Sequence, residues 1–228
     1  MTSKRSPRLL LMDLDGTLAN SMTVMRDAYE QFAARFGFQP TALEFDALNG
    51  PPLSQVVEEL RRSHNIEEYT SRLIDWYSQM IEQLYGDVMP NDGAIDLVDA
   101  ALRHACDVGV VTSNSRSRLE KWLDRCGIRN CFRITVTGDD VGRGKPHPEP
   151  YLAALELAGV RAIDAVAVED SAQGVLSARS AKLKTFFLNG NDDEGDLDVH
   201  VIKSLRAVRD AIFPEAQAFP DQDTPGPM

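Results

Sequence analysis

Two aspartates, Asp13 and Asp15, stand one residue apart at the end of an apolar run, RLLLMDLDGTLANS (residues 8–21). Carboxylates this close repel each other, and burial penalises each charge. Asp-Gly is a common turn pair, so the run alone also fits a strand ending in a solvated turn. Three later stretches carry groups that change this reading. VVTSNS (110–115) supplies Thr112, Ser113 and Asn114, GRGKPHPEP (142–150) supplies Lys145, and VAVEDS (166–171) supplies Glu169, Asp170 and Ser171.

Together these residue types suit phosphoryl transfer at a Mg²⁺ site. Mg²⁺ takes hard oxygen ligands and keeps positions open for water and a phosphate oxygen. Aspartates at i and i+2 of an extended strand project the same way, so both can face one phosphate. A carboxylate attacks phosphorus once a metal and a lysine neutralise the phosphate's charge. Lys145 would be that lysine, and the Thr112 hydroxyl, with Ser113 beside it, would hold non-bridging oxygens. One carboxylate would attack while the other moves the proton. Taken singly, each group has a plainer role: Lys145 on the surface, Glu169 and Asp170 in a turn, Thr112 and Ser113 as caps of the next helix.

The elements that must position these groups are apolar runs with helical stretches between them. RLLLMD (8–13), DVGVVTS (107–113), DAVAVED (164–170) and KTFFL (184–188) read as strands, with FRITVTG (132–138) a weaker one. Nearly continuous apolar strands alternating with helices predict an α/β fold, a doubly wound parallel sheet covered on both faces. In such sheets ligands sit beyond the carboxyl ends of the strands, where all the groups above fall. Residues 20–88 break the rhythm with helical patterns only, and DVMPNDGA (87–94) reads as the return hinge. Met22, Met25, Trp76 and Tyr77 are expected to be packing residues. NGNDDEGDLD (189–198) reads as an acidic loop, VHVI (199–202) as a short strand, and the proline-rich end as disordered.

Composition narrows the partners. The chain has 228 residues and a formal net charge of −11, which argues against a general nucleic-acid or anionic-membrane binder. Its three cysteines form no CxxC, and MTSKRSPR is followed only by LLLM before Asp13, too short for a signal or membrane segment. A cytoplasmic protein is the expectation. The G-x-x-x-x-G-K-[ST] pattern fails around Lys145, where Asp139 and Pro146 replace its first glycine and its hydroxyl residue. The four histidines show no metal-ligand spacing, and His147 is expected to have a structural or solvent role.

In their order, DLDGTL, VVTSNS, GKPHPEPY and VEDSAQGV resemble the haloacid dehalogenase superfamily over about residues 8–212. More narrowly the chain looks like subfamily I, with a helical C1 cap after the first motif, in the phosphoglycolate phosphatase and β-phosphoglucomutase-like branch. The resemblance implies a core of 8–19 and 89–212, a cap of 20–88 and a tail from 213. It implies Asp13 as nucleophile and metal ligand, Asp15 as general acid/base with its carbonyl on the metal, and Thr112, Ser113 and Lys145 as phosphate ligands. Asp170 would bind Mg²⁺, Glu169 would meet it directly or through water, and Gly50 of LNGPPL (48–53) would contact substrate from the cap. The implied activity is a phosphatase for a small phosphorylated metabolite such as phosphoglycolate or a sugar phosphate. Arg26, Arg61, Arg62 and Arg72 are the cap cations available to a second anionic group. The alternatives are a β-phosphoglucomutase-type isomerase and a catalytically silent binding protein. The mutase pattern has a cap histidine soon after the first motif, but no histidine here precedes His64. Asn20 and Met22 replace the family's usual Asp and Glu, and SARSAKLKT its Ala-Ala-Gly stretch.

Overall fold

A computed structural model describes residues 6–190 and 199–214. The expected acidic loop and tail therefore lie outside the described residues, except for Asn189, Gly190, Phe213 and Pro214. Of these, Phe213 is buried and stacks on His104. Six parallel strands form one sheet: β1 (Leu9–Met12), β2 (Asp107–Val111), β3 (Ile134–Val136), β4 (Ala165–Glu169), β5 (Lys184–Leu188) and β6 (His200–Ile202). Their order is β3-β2-β1-β4-β5-β6, the doubly wound arrangement whose direction of winding reverses beside β1. Helices α1 (Met22–Phe36), α2 (Ala42–Ala47), α3 (Leu53–Ser63) and α4 (Thr70–Leu84) follow β1 without an intervening strand. The rest of the chain supplies α5 (Ala94–Arg103), α6 (Arg116–Arg125), α7 (Glu149–Ala158), α8 (Ala172–Ser180) and α9 (Leu205–Ile212).

The central strands are mostly apolar because both faces are covered. Alternate residues point to opposite sides of a strand. Leu10, Met12, Val108, Val110, Val166 and Val168 join a cluster with Leu97 of α5, Trp122 of α6 and Val208 of α9. Leu9, Leu11, Val111, Ala165 and Ala167 meet Tyr151 of α7 and Ala178 of α8 on the other face. At roughly 1.5–3 kcal/mol per buried aliphatic side chain, these faces hold the sheet against the entropy of the chain. Among the described residues no helix is long and apolar enough to cross a membrane.

Two helices escaped the sequence reading. The six-residue α2 is too short to show a 3.6-residue period; the Thr41 side chain starts it by accepting from the Glu44 amide, and Phe45 buries it. The other, α5, begins directly after the MPNDG stretch, whose breakers signal a hinge and hide the helix start. Ser115 starts α6 by accepting from the Arg118 amide, so the plainer role open to Thr112 and Ser113, capping that helix, is not theirs.

The helical segment α1–α4 leaves and rejoins the sheet at one place. The Asn20 amide donates to the Met89 carbonyl at 2.9 Å, and the Asn91 amide to the Leu18 carbonyl at 2.9 Å. The Asn91 Nδ2 group donates to the Gly16 and Thr17 carbonyls at 2.7 and 2.9 Å, clamping the loop after β1 to the returning chain. Inside the segment, Phe32 is fully buried with its ring 5.0 Å from that of Tyr77 and 4.6 Å from that of Phe36.

Candidate active site

The loop after β1 carries both aspartates to the rim where winding reverses. Its turn depends on Gly16, whose φ of +80° is disfavoured for residues with a side chain. A Cβ there would also stand 2.0 Å from Asp170 Oδ2, so this glycine lets the end of β4 approach the end of β1. Asp13 and Lys145 are nearly inaccessible to solvent, and Glu169 is wholly so.

Lys145 reaches the rim from the loop between β3 and α7. Its Nζ lies 2.5 Å from Asp13 Oδ1, 2.5 Å from Glu169 Oε1 and 2.9 Å from the Val111 carbonyl, which satisfies its three donors. Burial alone would push this ammonium toward neutrality, but Asp13 and Glu169 outweigh it and hold its pKa well above the usual value. Glu169 Oε1 also accepts from the Tyr151 hydroxyl at 2.5 Å. Glu169 Oε2 has no hydrogen-bond partner and backs onto Gly174 of α8. A Cβ on Gly174 would lie 2.0 Å from that oxygen, so Gly174→Ala must displace Glu169 from Lys145. The expected cost of such overpacking is about 2 kcal/mol, or ~4–8 °C in Tm for a chain of this size. Gly86→Ala, at a glycine with nothing within 4 Å of the added carbon, is the control that should shift Tm little. Scanning calorimetry of both variants checks this.

One ammonium faces four carboxylates. Oxygens of Asp13, Glu169 and Asp170 lie within 4.8 Å of one another, and Asp15 is on the same rim. Burial, reinforced by Glu169, raises the Asp170 carboxyl to about 7 against the opposing hydrogen bond from Asn49 and the charge of Lys145. Burial also raises Asp13 well above the usual carboxylate range, against the pull of Lys145 and with further push from Glu169, Asp170 and Asp15. An all-oxygen donor set with this excess of negative charge suits a hard divalent cation.

Asp15 is held differently, by donors that sequence reading did not assign. Its Oδ1 accepts from the Ser21 hydroxyl at 2.7 Å and the Tyr85 hydroxyl at 2.6 Å, and its Oδ2 accepts from Asn114 Nδ2 at 2.9 Å. Arg118 Nη1 donates to Asn114 Oδ1 at 2.5 Å, fixing which end of the amide faces Asp15. Tyr85 lies in the turn after α4, and burial raises its pKa well above the usual value, so the hydroxyl remains a donor. Asn114 was visible in the TSNS run; Tyr85 and Arg118 carried no such signal, because each is a common helical residue until its distant partner is known.

The remaining predicted residues lie around a cleft above these groups. Thr112 is buried at the end of β2, where its Oγ accepts from the Asn114 amide at 3.0 Å and its own proton is left for an acceptor in the cleft. The Ser113 hydroxyl donates to the Gly50 carbonyl at 2.6 Å, so these two predicted ligands join the α2–α3 loop to the sheet rim. Asn49 in the same loop donates to Asp170 Oδ2 at 3.3 Å. Met25 and Tyr77, read from sequence as packing residues, also line the cleft, while Trp76 stacks under Arg35 and Arg72 away from it. Among the described residues Arg26, Arg61, Arg62 and Arg72 are absent from the cleft wall. His147 accepts from the Glu149 amide through Nδ1 at 3.2 Å and lies outside the cleft wall too.

A doubly wound sheet with a buried Asp–Lys pair and an acidic cluster at its reversal point defines a hydrolase core of the aspartate-based kind. The family of haloacid dehalogenase-like hydrolases matches residues 10–188, and the chain belongs to it. It falls with the phosphoglycolate phosphatase and β-phosphoglucomutase-like branch. Validoxylamine A 7'-phosphate phosphatase of Streptomyces hygroscopicus subsp. limoneus is 29% identical over 208 residues, covering 89% of this chain and 96% of its own. Phosphoglycolate phosphatase 1 of Pseudomonas aeruginosa is 25% identical over 186 residues, covering 79% and 68%. Among solved structures, a predicted phosphatase from Clostridium acetobutylicum superposes with a TM-score of 0.77 at 19% identity, over 91% of this chain and 98% of that one.

Proposed function

We propose that the protein is a Mg²⁺-dependent phosphatase that hydrolyses a small phosphorylated metabolite through a phosphoaspartate on Asp13. The observation that carries this reading is the buried Asp13–Lys145 pair, set beside Asp170 at the reversal point of the sheet. Asp13, Asp170 and the Asp15 carbonyl would hold Mg²⁺, which when bound offsets the charge of the carboxylates and of the phosphate. Glu169, with Oε1 engaged by Lys145 and Tyr151, acts mainly by holding Lys145 in place.

The chain's own groups then carry the steps. An Asp13 carboxylate oxygen bonds to phosphorus as the ester C–O–P linkage breaks on its phosphorus side. Asp15 gives its proton to the departing oxygen, releasing the alcohol. Asp15 next takes a proton from water, whose oxygen attacks the phosphoaspartate, freeing phosphate and restoring Asp13. Lys145 and the Thr112 hydroxyl stabilise the charge on the non-bridging oxygens. Ser21, Tyr85 and Asn114 keep Asp15 in line with the leaving oxygen. Residues 20–88 serve as the cap that shields this chemistry from bulk water, and the two chain segments joined by the antiparallel Ala19–Pro90 bridge serve as its hinge. The catalytic groups all stand in one site, which speaks against a silent binding protein.

Incubation with Mg²⁺ and a panel of small phosphoesters is expected to release inorganic phosphate. EDTA should abolish release and added Mg²⁺ should restore it. Release from none of the esters, or release indifferent to EDTA, overturns the reading.

A further inference from the structure

The wall of the cleft opposite the carboxylates is apolar. Met25 of α1, Phe45 of α2, Val56 of α3, and Tyr77 and Ile81 of α4 face the sheet rim across about 760 Å³ of space, part of it open to solvent. Phe45, Val56, Tyr77 and Ile81 are each less than a tenth exposed.

That wall offers no free positive charge. Residues 20–88 contain no lysine. Their arginines do not line the cleft: Arg26 lies over the Phe45 ring without reaching the cleft lining, Arg35 lies over Trp76, Arg61 and Arg62 pair with Glu58, and Arg72 pairs with Glu68. Among the described residues the cation on the cleft wall is Arg118, from the sheet side. Its Nη1 is committed to Asn114 and its Nη2 to Ser78 at 3.1 Å, while its Nε, without a hydrogen-bond partner, is itself buried away from the cleft and lies 3.6 Å from the charge of Glu82. Near the rim, Asn49 donates to Asp170 and Ser113 to the Gly50 carbonyl, while Ser171, like Thr112, accepts from an amide and keeps its own proton for the phosphate end of the cleft. The Tyr77 hydroxyl has no hydrogen-bond partner among the described residues, so the wall offers one neutral donor.

We infer that the substrate is a phosphate monoester of a neutral, largely apolar alcohol or phenol, and that esters bearing a second anionic group are selected against. This rests on the phosphatase reading above and names the substrate class for it. A second carboxylate or phosphate would enter a desolvated wall with no cation to meet it, beside carboxylates already in excess. A sugar would leave most of its hydroxyls unpaired against Phe45, Val56 and Ile81. Phosphoglycolate and sugar phosphates, the esters that the family resemblance implies, are therefore the poor substrates.

The test uses the wild-type chain with Mg²⁺ and measures kcat/KM for methyl, butyl and hexyl phosphate, phosphoglycolate, glucose 6-phosphate and fructose 1,6-bisphosphate. Each buried methylene contributes about 0.8 kcal/mol, so kcat/KM should rise about fourfold per added carbon until the wall is covered. Hexyl phosphate should exceed phosphoglycolate and the bisphosphate by at least ~100-fold. A flat alkyl series, or phosphoglycolate or either sugar ester matching hexyl phosphate, overturns the inference while leaving the phosphatase reading intact. Release of phosphate from none of the six overturns both.

Discussion

Lys145→Met is expected to lower stability and turnover together, and Mg²⁺ is expected to restore part of the first and none of the second. Lys145 is the cation within 2.5 Å of both Asp13 and Glu169, and all three side chains are buried. Methionine fills much the same length but supplies no charge and no donors, so two carboxylates and the Val111 carbonyl lose their partner. Breaking a buried pair from one side costs about 3 kcal/mol, which for a chain of this size is ~6–12 °C in Tm. A divalent cation bound by the same carboxylates would stabilise the folded state by mass action, so the deficit should shrink as Mg²⁺ is added. Phosphate release should fall ~10²–10³-fold and stay there, because charge on the transferring group would still lack its lysine. Calorimetry with and without Mg²⁺, beside a phosphate-release assay, checks both halves. An unchanged Tm would mean that Lys145 does not hold the buried carboxylates in place.

The same electrostatics explains what could be read from the sequence. Asp13, Asp15 and Asp170 were legible because each is a charge at the end of an apolar strand, an arrangement that persists only where charges offset one another or do chemistry, whereas Lys145, in a loop between β3 and α7, was legible only through its place in the order of the motifs. The sheet was legible for a related reason: strands buried on both faces leave unbroken apolar runs. The tuning of the site was not. Tyr85 meets Asp15 across 70 positions and Asn49 meets Asp170 across 121, and no local pattern encodes such contacts. Met25 and Tyr77 have the helical spacing of packing residues, and that spacing is the same whether a side chain faces a neighbouring helix or a cleft. Gly50 drew attention as a possible substrate contact, and the structure joins its carbonyl to Ser113. A loop's motif can mark where it meets the site without saying which atom it meets.

Asp13→Asn should have the opposite effect on stability while acting on the same salt bridge. The amide nearly matches the carboxylate in size, and Lys145 keeps Glu169 and the Val111 carbonyl as partners. Burial and the neighbouring Glu169, Asp170 and Asp15 raise the Asp13 carboxyl despite the pull of Lys145, so its ionised form is net unfavourable in the fold. The sign follows from linkage. A carboxyl whose folded pKa is raised leaves stability untouched at low pH and costs increasingly more as pH rises from the unfolded value through the folded one. Asn removes that cost. The metal-free variant should therefore match the wild type in acid and exceed its Tm by a few degrees at neutral pH, about 1 kcal/mol. Turnover should fall by at least ~10⁴, because a neutral amide oxygen cannot serve as the nucleophile, and no phosphorylated protein should accumulate on acid quench. Retained turnover would remove Asp13 from the mechanism. A Tm that falls instead would mean that the pairing with Lys145 outweighs the crowding of carboxylates, making the site a stabilising ion pair. A gain in stability together with lost turnover would show the excess negative charge to be a strain that the fold carries for its chemistry.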